Sequence, residues 1–186
     1  CRDNVLLLRV IYDQYIKNNN NFVVTFIDFK AAFDSVSHKY LDSALAKAGA
    51  SRKTRAIFRA IYKAASGTAR VNGTNGNKVY SGKFNVARGV IQGDIISPLL
   101  FILALEQLIR QHDVHGDGVA CGEFFKVRIL GYADDAAMLD QDTQTMTIRL
   151  TALADAAKQE ADMEVSMPKT FSQHVGKRAG IKVTKV

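Results

Sequence analysis

The segment Phe26-Ile27-Asp28-Phe29-Lys30-Ala31-Ala32-Phe33-Asp34-Ser35-Val36 decides how this chain of 186 residues folds. It begins inside Phe22–Ile27, an apolar run rich in β-branched and aromatic residues that is typical of a buried strand. Asp28 follows that run directly, so the strand places a carboxylate at the edge of a sheet. The residues from Ser35 to Ala48 then have helical spacing, and Gly49 stands where a helix ends. The segment therefore predicts a strand, a carboxylate at its end and a helix in succession.

A second pair of carboxylates lies further along the chain, in a predicted turn. Asp134 and Asp135 end the stretch 131–135, which separates the strand-like runs 124–130 and 136–139. Neighbouring strands are ~4.8 Å apart, so side chains at their ends can share one ion. Close carboxylates repel and raise one another's pKa unless cations neutralise them. The pattern therefore predicts that the three aspartates meet at a cation site.

Oxygen ligands of this kind favour Mg²⁺, which takes one or two carboxylates together with substrate phosphates. Two such ions ~3.5–4 Å apart can activate an attacking hydroxyl and hold a leaving oxygen in phosphoryl transfer. A simpler interpretation also fits each aspartate alone, because an aspartate in a turn commonly accepts bonds from local amides. The residue types alone leave both interpretations open.

Hydrophobic periodicity and turn residues predict the remaining elements. In chain order these are a helix over 5–16, a helix from Ser51, hairpin strands at 69–72 and 78–80, a helix over 97–111, a helix over 143–162, a strand from Met163 that ends at Pro168, and a strand over 181–184. This order predicts an α+β fold, in which helices cover one side of a small sheet.

The net charge of +7 is unevenly distributed along the chain. Residues 47–88 hold ten basic residues and no acidic one, whereas 89–168 hold thirteen acidic and five basic residues. The tail from Lys169 adds five basic residues and no acidic one. A solvated charged face would mix the signs more evenly, so the segregation favours a polyanionic partner and a separate cation site.

Several classes of protein are excluded by composition. The hydrophobic fraction of 47% is too high for a disordered chain. Cys1 and Cys121 are too few for a disulfide framework and indicate a reducing compartment. No window reaches the ~20 apolar residues of a membrane span, and the start lacks the pattern of a signal peptide. We therefore expect an intracellular protein of the nucleus or cytoplasm, neither secreted nor membrane-bound, and a piece of a longer chain.

Four blocks of the sequence resemble the palm motifs of reverse transcriptases, in the family's order. The first is the segment 26–36, and the second is 88–101, which reads Arg-Gly-Val-Ile-Gln-Gly-Asp-Ile-Ile-Ser-Pro-Leu-Leu-Phe. The third is Tyr132-Ala133-Asp134-Asp135, and the fourth runs from Ala161 to Phe171. The phrases Ala-Phe-Asp-Ser-Val and Gly-Val-Ile-Gln-Gly-Asp are most similar to those of retrotransposons without long terminal repeats, the LINE type.

The resemblance implies a polymerase palm, with a small antiparallel sheet of RRM-like βαββαβ order backed by helices, plus part of a fingers subdomain. By position, residues 1–46 and 94–186 match the palm and residues 47–93 match the fingers. The upstream fingers and the downstream thumb of the family are absent from the sequence, so we expect the isolated chain to polymerise poorly. The family's polyprotein would supply those parts and an endonuclease.

The resemblance also implies an activity, that of an RNA-directed DNA polymerase acting on an RNA template, a DNA primer and dNTPs. Two Mg²⁺ ions, which Mn²⁺ can replace, would be held by Asp28, the backbone carbonyl of Phe29, Asp134 and Asp135. The primer 3′-hydroxyl would attack the α-phosphate of a dNTP, and Lys169 would protonate the leaving pyrophosphate. The nucleotide-binding candidates are Ala32, Phe33, Gln92 and Gly93. The template- and primer-binding candidates are Arg52, Lys53, Arg55, Arg70, Arg88 and Tyr132.

Two other functions share this pattern, namely a palm-shaped nucleic-acid-binding module without chemistry and an RNA-dependent RNA polymerase. The first is expected to have lost a metal-binding carboxylate, and all three aspartates are present. The second needs room for a ribose 2′-hydroxyl, the group that separates RNA from DNA precursors. The ring of Phe33 would collide with that hydroxyl, whereas an ordinary core phenylalanine would look the same in sequence.

Overall fold

A computed structural model describes residues 2–73, 77–113 and 116–176 in full and residues 182–185 as backbone. Within these ranges the elements are, in order, α1 (Arg2–Lys17), β1 (Phe22–Ile27), α2 (Ala32–Ser35), α3 (His38–Lys47), α4 (Arg52–Ala64), β2 (Ser66–Gly67), β3 (Arg70–Asn72), β4 (Lys78–Tyr80), β5 (Phe84–Asn85), α5 (Ser97–His112), β6 (Val119–Cys121), β7 (Phe125–Val127), β8 (Ile129–Tyr132), β9 (Asp135–Asp140), α6 (Thr143–Ala161), β10 (Phe171–Val175) and β11 (Lys182–Lys185). The predicted α+β class is confirmed. None of the helices described is long and apolar enough to cross a membrane.

The central sheet has five antiparallel strands in the order β11-β10-β1-β9-β8. In the register of β1 with β9, Ile27 faces Ala136 and Val23 faces Asp140. On the other side of β1, Phe26 faces Phe171 of β10. The end of β1 therefore lies beside the start of β9, in the middle of the sheet.

Both faces of this sheet are covered, because alternate residues of β1 enter two different hydrophobic cores. Val23 and Ile27 pack into the larger core, which α3, α5 and α6 complete. Phe22 and Val24 pack into the smaller core with residues of α1, β6 and β7. The prediction that helices cover only one side of the sheet is therefore wrong: the apolar stripe of α1 covers the second face.

The sequence also predicts one helix over 35–48, but the structure interrupts it at Val36. Ser37 has an extended backbone, and its hydroxyl accepts a bond from Tyr40 N at 3.2 Å. Ser37 also forms an isolated antiparallel bridge with Arg88. Ser37 is therefore the N-cap of a separate helix, α3. Because the helix is interrupted, backbone groups near Val36 are available to bond with the loop before α5.

Two predicted strands are placed differently. The run 124–130 is divided at Arg128, whose carbonyl accepts bonds from Leu139 N and Arg149 Nη2 instead of continuing one ladder. The strand predicted from Met163 to Pro168 is an isolated bridge at Val165 and a turn, and β10 begins only at Phe171. Proline lacks the N–H that a ladder needs, which accounts for its place in the turn. Of the predicted strand 181–184, β11 covers residues 182–184, and Ile181 lies outside the described residues.

A buried ionic network joins α6 to the far end of β9. Arg149 is fully buried, and its Nε donates to Asp113 Oδ1 at 2.7 Å while its Nη1 donates to Asp140 Oδ2 at 2.7 Å. Nη1 also donates to the carbonyl of Leu139 at 2.7 Å. Buried charges are tolerated only when paired and hydrogen-bonded, so this arginine compensates two carboxylates at once.

We predict that Arg149→Met lowers the free energy of unfolding by about 3–5 kcal/mol, because it leaves buried Asp140 without its cation and leaves buried Asp113 only the more distant Arg128, whose Nε lies 3.7 Å from Asp113 Oδ2. Urea denaturation of the chain measures the change. Arg110→Met is the matched control, since Arg110 pairs with Glu106 at 2.7 Å on the exposed face of α5. A surface pair of that spacing contributes about 0.5 kcal/mol or less. Equal losses in the two variants would contradict the assigned role of the network.

Candidate active site

The strand register brings the predicted carboxylates to one edge of the sheet. Tyr132 pairs with Asp135 across β8 and β9, so the connecting turn has Ala133 and Asp134 as its central residues. Ala133 has a φ of 54°, a left-handed conformation that hairpin turns of two residues require and that alanine adopts at a cost. The ladder of β1 with β9 ends at the pair of Ile27 with Ala136, so Asp28 and Asp135 are the residues next to its last pair.

The carboxylate groups themselves are not gathered. Among the residues that the structure describes, no three side chains of His, Cys, Asp or Glu lie close enough to hold a metal ion. Asp134 lies in the turn, whereas Asp135 is the first residue of β9. That the three aspartates share a cation therefore stays a prediction, with Asp28 and Asp135 each next to the last pair of β1 with β9. Asp134 is half-buried and Asp135 exposed, so both can change rotamer without disturbing the core.

Asp28 is the most constrained of the three. Its N–H donates to Thr170 Oγ1 at 3.4 Å, and its carbonyl accepts from Ser166 N at 2.7 Å. Its Oδ2 is buried and accepts no hydrogen bond, and Lys169 Nζ lies 3.5 Å from it. A buried carboxylate oxygen without a bonding partner is suited to a cation, so the donor chemistry of Asp28 fits a divalent ion.

The turn 164–170 is fixed against the residues after β1 by a second set of bonds. Lys30 N donates to the carbonyl of Glu164 at 2.8 Å, and Lys30 Nζ lies 2.7 Å from Glu164 Oε1. The bond from Lys30 holds the pKa of Glu164 below its usual value. Phe29 forms an isolated antiparallel bridge with Val165. The two hydrogen bonds of this bridge are accepted by the carbonyls of Asp28 and Glu164, so the carbonyl of Phe29 accepts neither of them. That carbonyl thus has lone pairs to offer beside Asp28.

The nucleotide-binding candidates come together where two loops meet. Gly89 N donates to the carbonyl of Val36, and Val90 N to that of Phe33, both at 2.7 Å. The ring of half-buried Phe33 stacks on Phe101 of α5, with centroids 4.6 Å apart and planes at 25°. Gln92 is exposed and donates to Asp34, a residue for which no role is predicted from the sequence. The two remaining candidates differ in burial, because Ala32 is buried whereas Gly93 is exposed with a φ of 90°.

The basic candidates separate into exposed residues and one that is paired. Arg55 Nε donates to Asp42 Oδ1 at 3.0 Å and its Nη2 to Oδ2 at 2.5 Å, and Arg59 reaches the same carboxylate. The hydrogen bond from Arg55 lowers the pKa of Asp42. Arg55 thus joins α4 to α3. The candidates whose residues are exposed are Arg52, Lys53, Arg70, Arg88 and Tyr132.

Sequence reasoning missed several residues that shape this site. Ser166 and Thr170 bond the backbone of Asp28, and the side chain of Asn4 donates to the carbonyl of Gly131 at 2.9 Å, next to the β8–β9 turn. Serine, threonine and asparagine bond backbone groups in many contexts, so nothing in the sequence marks these as special. Asp34 lies in the first palm motif, residues 26–36, and its position next to Phe33 is the one feature of the sequence that indicates a place near the nucleotide.

A small antiparallel sheet with a carboxylate after its central strand and two more at the adjacent hairpin, one in its turn and one at the start of its second strand, is the arrangement of a polymerase palm. The family model described as reverse transcriptase (RNA-dependent DNA polymerase) matches residues 4–182. The chain belongs to the reverse transcriptase family, as its motifs predict.

Curated relatives identify the kind of element from which similar domains come. A retrovirus-related Pol polyprotein from the type-1 retrotransposable element R2 of Popillia japonica is 28% identical over 96% of this chain and 25% of its own length. The corresponding polyprotein of Nasonia vitripennis is 27% identical over 90% of this chain and 15% of its own length. The predicted similarity to retrotransposons without long terminal repeats is confirmed. The chain spans about a quarter or less of these relatives.

Solved structures show the same fold in telomerases. Apo telomerase from Candida tropicalis has a TM-score of 0.65 at 13% identity, over 97% of this chain and 33% of that chain. Telomerase from the same organism in complex with a TWJ fragment of telomeric RNA has a TM-score of 0.63 at 13% identity, over 99% and 33%. The likeness at this level of identity concerns the fold alone.

Proposed function

We propose that this chain is the palm and part of the fingers of an RNA-directed DNA polymerase, which transfers nucleotides from dNTPs to a primer 3′-hydroxyl on an RNA template. The observation that carries the proposal is the register of β1 with β9, whose last pair, Ile27 with Ala136, is followed by Asp28 on one strand and preceded by Asp135 on the other, in a chain of the reverse transcriptase family. Residues 1–46 and 94–186 contribute the strands of the central sheet, and residues 47–93 contribute α4 and short strand pairs outside it. That division supports the assignment of 47–93 to the fingers.

Asp28, the Phe29 carbonyl, Asp134 and Asp135 would hold two Mg²⁺ ions, which Mn²⁺ can replace. Ions bound there neutralise the phosphate charge and lower the pKa of the attacking hydroxyl. Asp28 supplies a buried oxygen that no hydrogen bond satisfies, and the two turn residues supply carboxylates that can rotate towards it. Lys169 would donate a proton from its ammonium group to the leaving pyrophosphate; its Nζ lies 3.5 Å from Asp28 Oδ2, next to the carboxylates that would hold the ions.

We predict that Asp28→Asn abolishes primer extension in a polymerase that carries this chain, because it removes an anionic metal ligand while keeping the shape of the side chain. Asp155→Asn, on the exposed face of α6, is the matched control and retains extension. Extension assays on an RNA template with a DNA primer measure both, with urea denaturation to establish that the fold is kept. Near-normal extension by Asp28→Asn would remove the basis of the proposal and favour a binding module without chemistry.

Phe33 would exclude ribonucleotides. Its ring is held by stacking on Phe101 and by the burial of neighbouring Ala32, so it cannot turn aside to admit a 2′-hydroxyl without breaking a packed contact. An RNA polymerase palm would need space at this position. The fixed ring therefore supports DNA rather than RNA synthesis.

Phe33→Val is expected to increase the incorporation of ribonucleotides relative to deoxyribonucleotides about tenfold or more, because removing the ring opens space for the 2′-hydroxyl. The ratio of kcat/KM for a dNTP and the matching rNTP measures it. Phe101→Leu, which keeps the Phe33 ring but removes the contact that holds it, should give a ratio between those of the wild-type chain and Phe33→Val. An unchanged ratio in Phe33→Val would mean that Phe33 is only a core residue.

The exposed basic residues of the segment 47–88 would bind the backbone of the template. Among the described residues, no carboxylate lies within ion-pair distance of Arg52, Lys53 or Arg70. Each lysine or arginine that contacts a phosphate releases counterions, which makes the affinity dependent on salt. Arg55 is occupied by Asp42 and contributes to stability more than to binding.

We predict that Lys53→Ala reduces the slope of log affinity against log salt by about 0.7–0.9, as expected for one lost phosphate contact. Fluorescence anisotropy with a labelled RNA–DNA hybrid measures the slope. Arg55→Ala is the comparison variant and should change the midpoint of urea unfolding more than the slope. Identical slopes for the wild-type chain and Lys53→Ala would exclude a phosphate contact by this residue.

A further inference from the structure

The contact between Gln92 and Asp34 determines which way the Gln92 amide faces. Gln92 Nε2 donates to Asp34 Oδ1 at 2.8 Å. An ionised carboxylate can only accept hydrogen bonds, so the NH₂ group of Gln92 must point towards Asp34. The carbonyl Oε1 is then turned away from Asp34. An amide without this neighbour could rotate and offer a donor or an acceptor.

The backbone holds the two side chains together. Gly89 and Val90 donate to the carbonyls of Val36 and Phe33, and the carbonyl of Gly89 bonds with His38 Nε2 at 2.9 Å. A Cβ atom at Gly89 would lie 2.7 Å from Asp34 Cα, and the φ of Gly89 is 82°. Only glycine permits so close an approach. The side-chain bond therefore lies between two segments whose separation is already fixed by buried backbone contacts.

We propose that Asp34 is a positioning residue, which orients Gln92 as a hydrogen-bond acceptor for the incoming nucleotide. The inference rests on the proposed function, in which Gln92 contacts the nucleotide. An acceptor at this position selects for an O–H or N–H donor, which is either a sugar hydroxyl or an amino group of the base. Asp34 does not touch the substrate and acts through Gln92.

The orientation can be measured without polymerase activity. In ¹H–¹⁵N spectra of the chain, the Gln92 side-chain NH₂ signals are identified by their loss in Gln92→Ala. We expect Asp34→Ala to shift those signals because it removes their acceptor. Asp94→Ala, in the same loop, should leave them in place. Signals unchanged in Asp34→Ala would overturn the inference, because the amide would then not be bonded to Asp34.

The effect on the substrate is tested by a double-mutant cycle in a polymerase that carries this chain. We expect Asp34→Ala to raise the KM for dNTP about 3- to 10-fold with little change in kcat, as for one lost hydrogen bond. Asp34→Asn should have an intermediate effect, because its amide can accept from Gln92 Nε2 or donate to Gln92 Oε1 and so no longer fixes one orientation. In a Gln92→Ala background, Asp34→Ala should have no further effect. An additive effect in that background would show that Asp34 does not act through Gln92 and would overturn the inference.

Substrate analogues separate the two donors. If the sugar supplies the donor, Asp34→Ala reduces the preference for a dNTP over its 3′-deoxy analogue; if the base supplies it, only nucleotides with an amino group lose affinity. A substrate KM unchanged by both Gln92→Ala and Asp34→Ala would overturn the inference. Extension that still depends on Asp28 would meanwhile leave the proposed polymerase function standing.

Discussion

The antiparallel pairing of β1 with β9 is the constraint on which the rest of the structure depends. With Ile27 opposite Ala136, every other residue of β1 enters the core under α3, α5 and α6, and the alternate ones enter the core under α1. A shift of the register by one residue would exchange the two sets of side chains between the faces. It would also move Asp28 away from Asp135. The same pairing thus sets the core and the site.

At the end of β1, repulsion between carboxylates opposes the arrangement that packing of the strands produces. Packing places Asp28 beside a turn with two further carboxylates, and like charges at short range disfavour one another. The chain reduces this cost by placing Lys169 Nζ 3.5 Å from the buried Oδ2 of Asp28 and by leaving the turn carboxylates towards solvent. One cation thereby lies against the buried oxygen of Asp28. Ser166 N and Thr170 Oγ1 form hydrogen bonds with the backbone of Asp28, so the turn that carries Lys169 is held beside Asp28.

The sequence predicted the features that local patterns specify. β1 falls on the predicted residues, and Asp28 and Asp134 lie at the predicted strand end and turn, whereas Asp135 begins β9. α5 starts at Ser97 as predicted, but its N-cap is Ile96, and the Ser97 hydroxyl donates to the carbonyl of Ile91 instead of capping the helix. What could not be predicted depends on contacts between distant segments. Arg128 divides a continuous apolar run because its carbonyl bonds Leu139 and Arg149. The side-chain directions of Asp134 and Asp135 follow from the turn geometry, which spacing along the chain does not contain.

The two ends of β9 differ in how firmly they are held, and that difference suits a site whose side chains must move. Asp140 at one end is buried and bonded to Arg149, so displacing that end would expose a charge network that is costly to break. Asp135 at the other end is exposed and follows a turn of two residues. Rotation of the turn carboxylates towards Asp28 therefore leaves the core intact. The buried network preserves the register on which their approach depends.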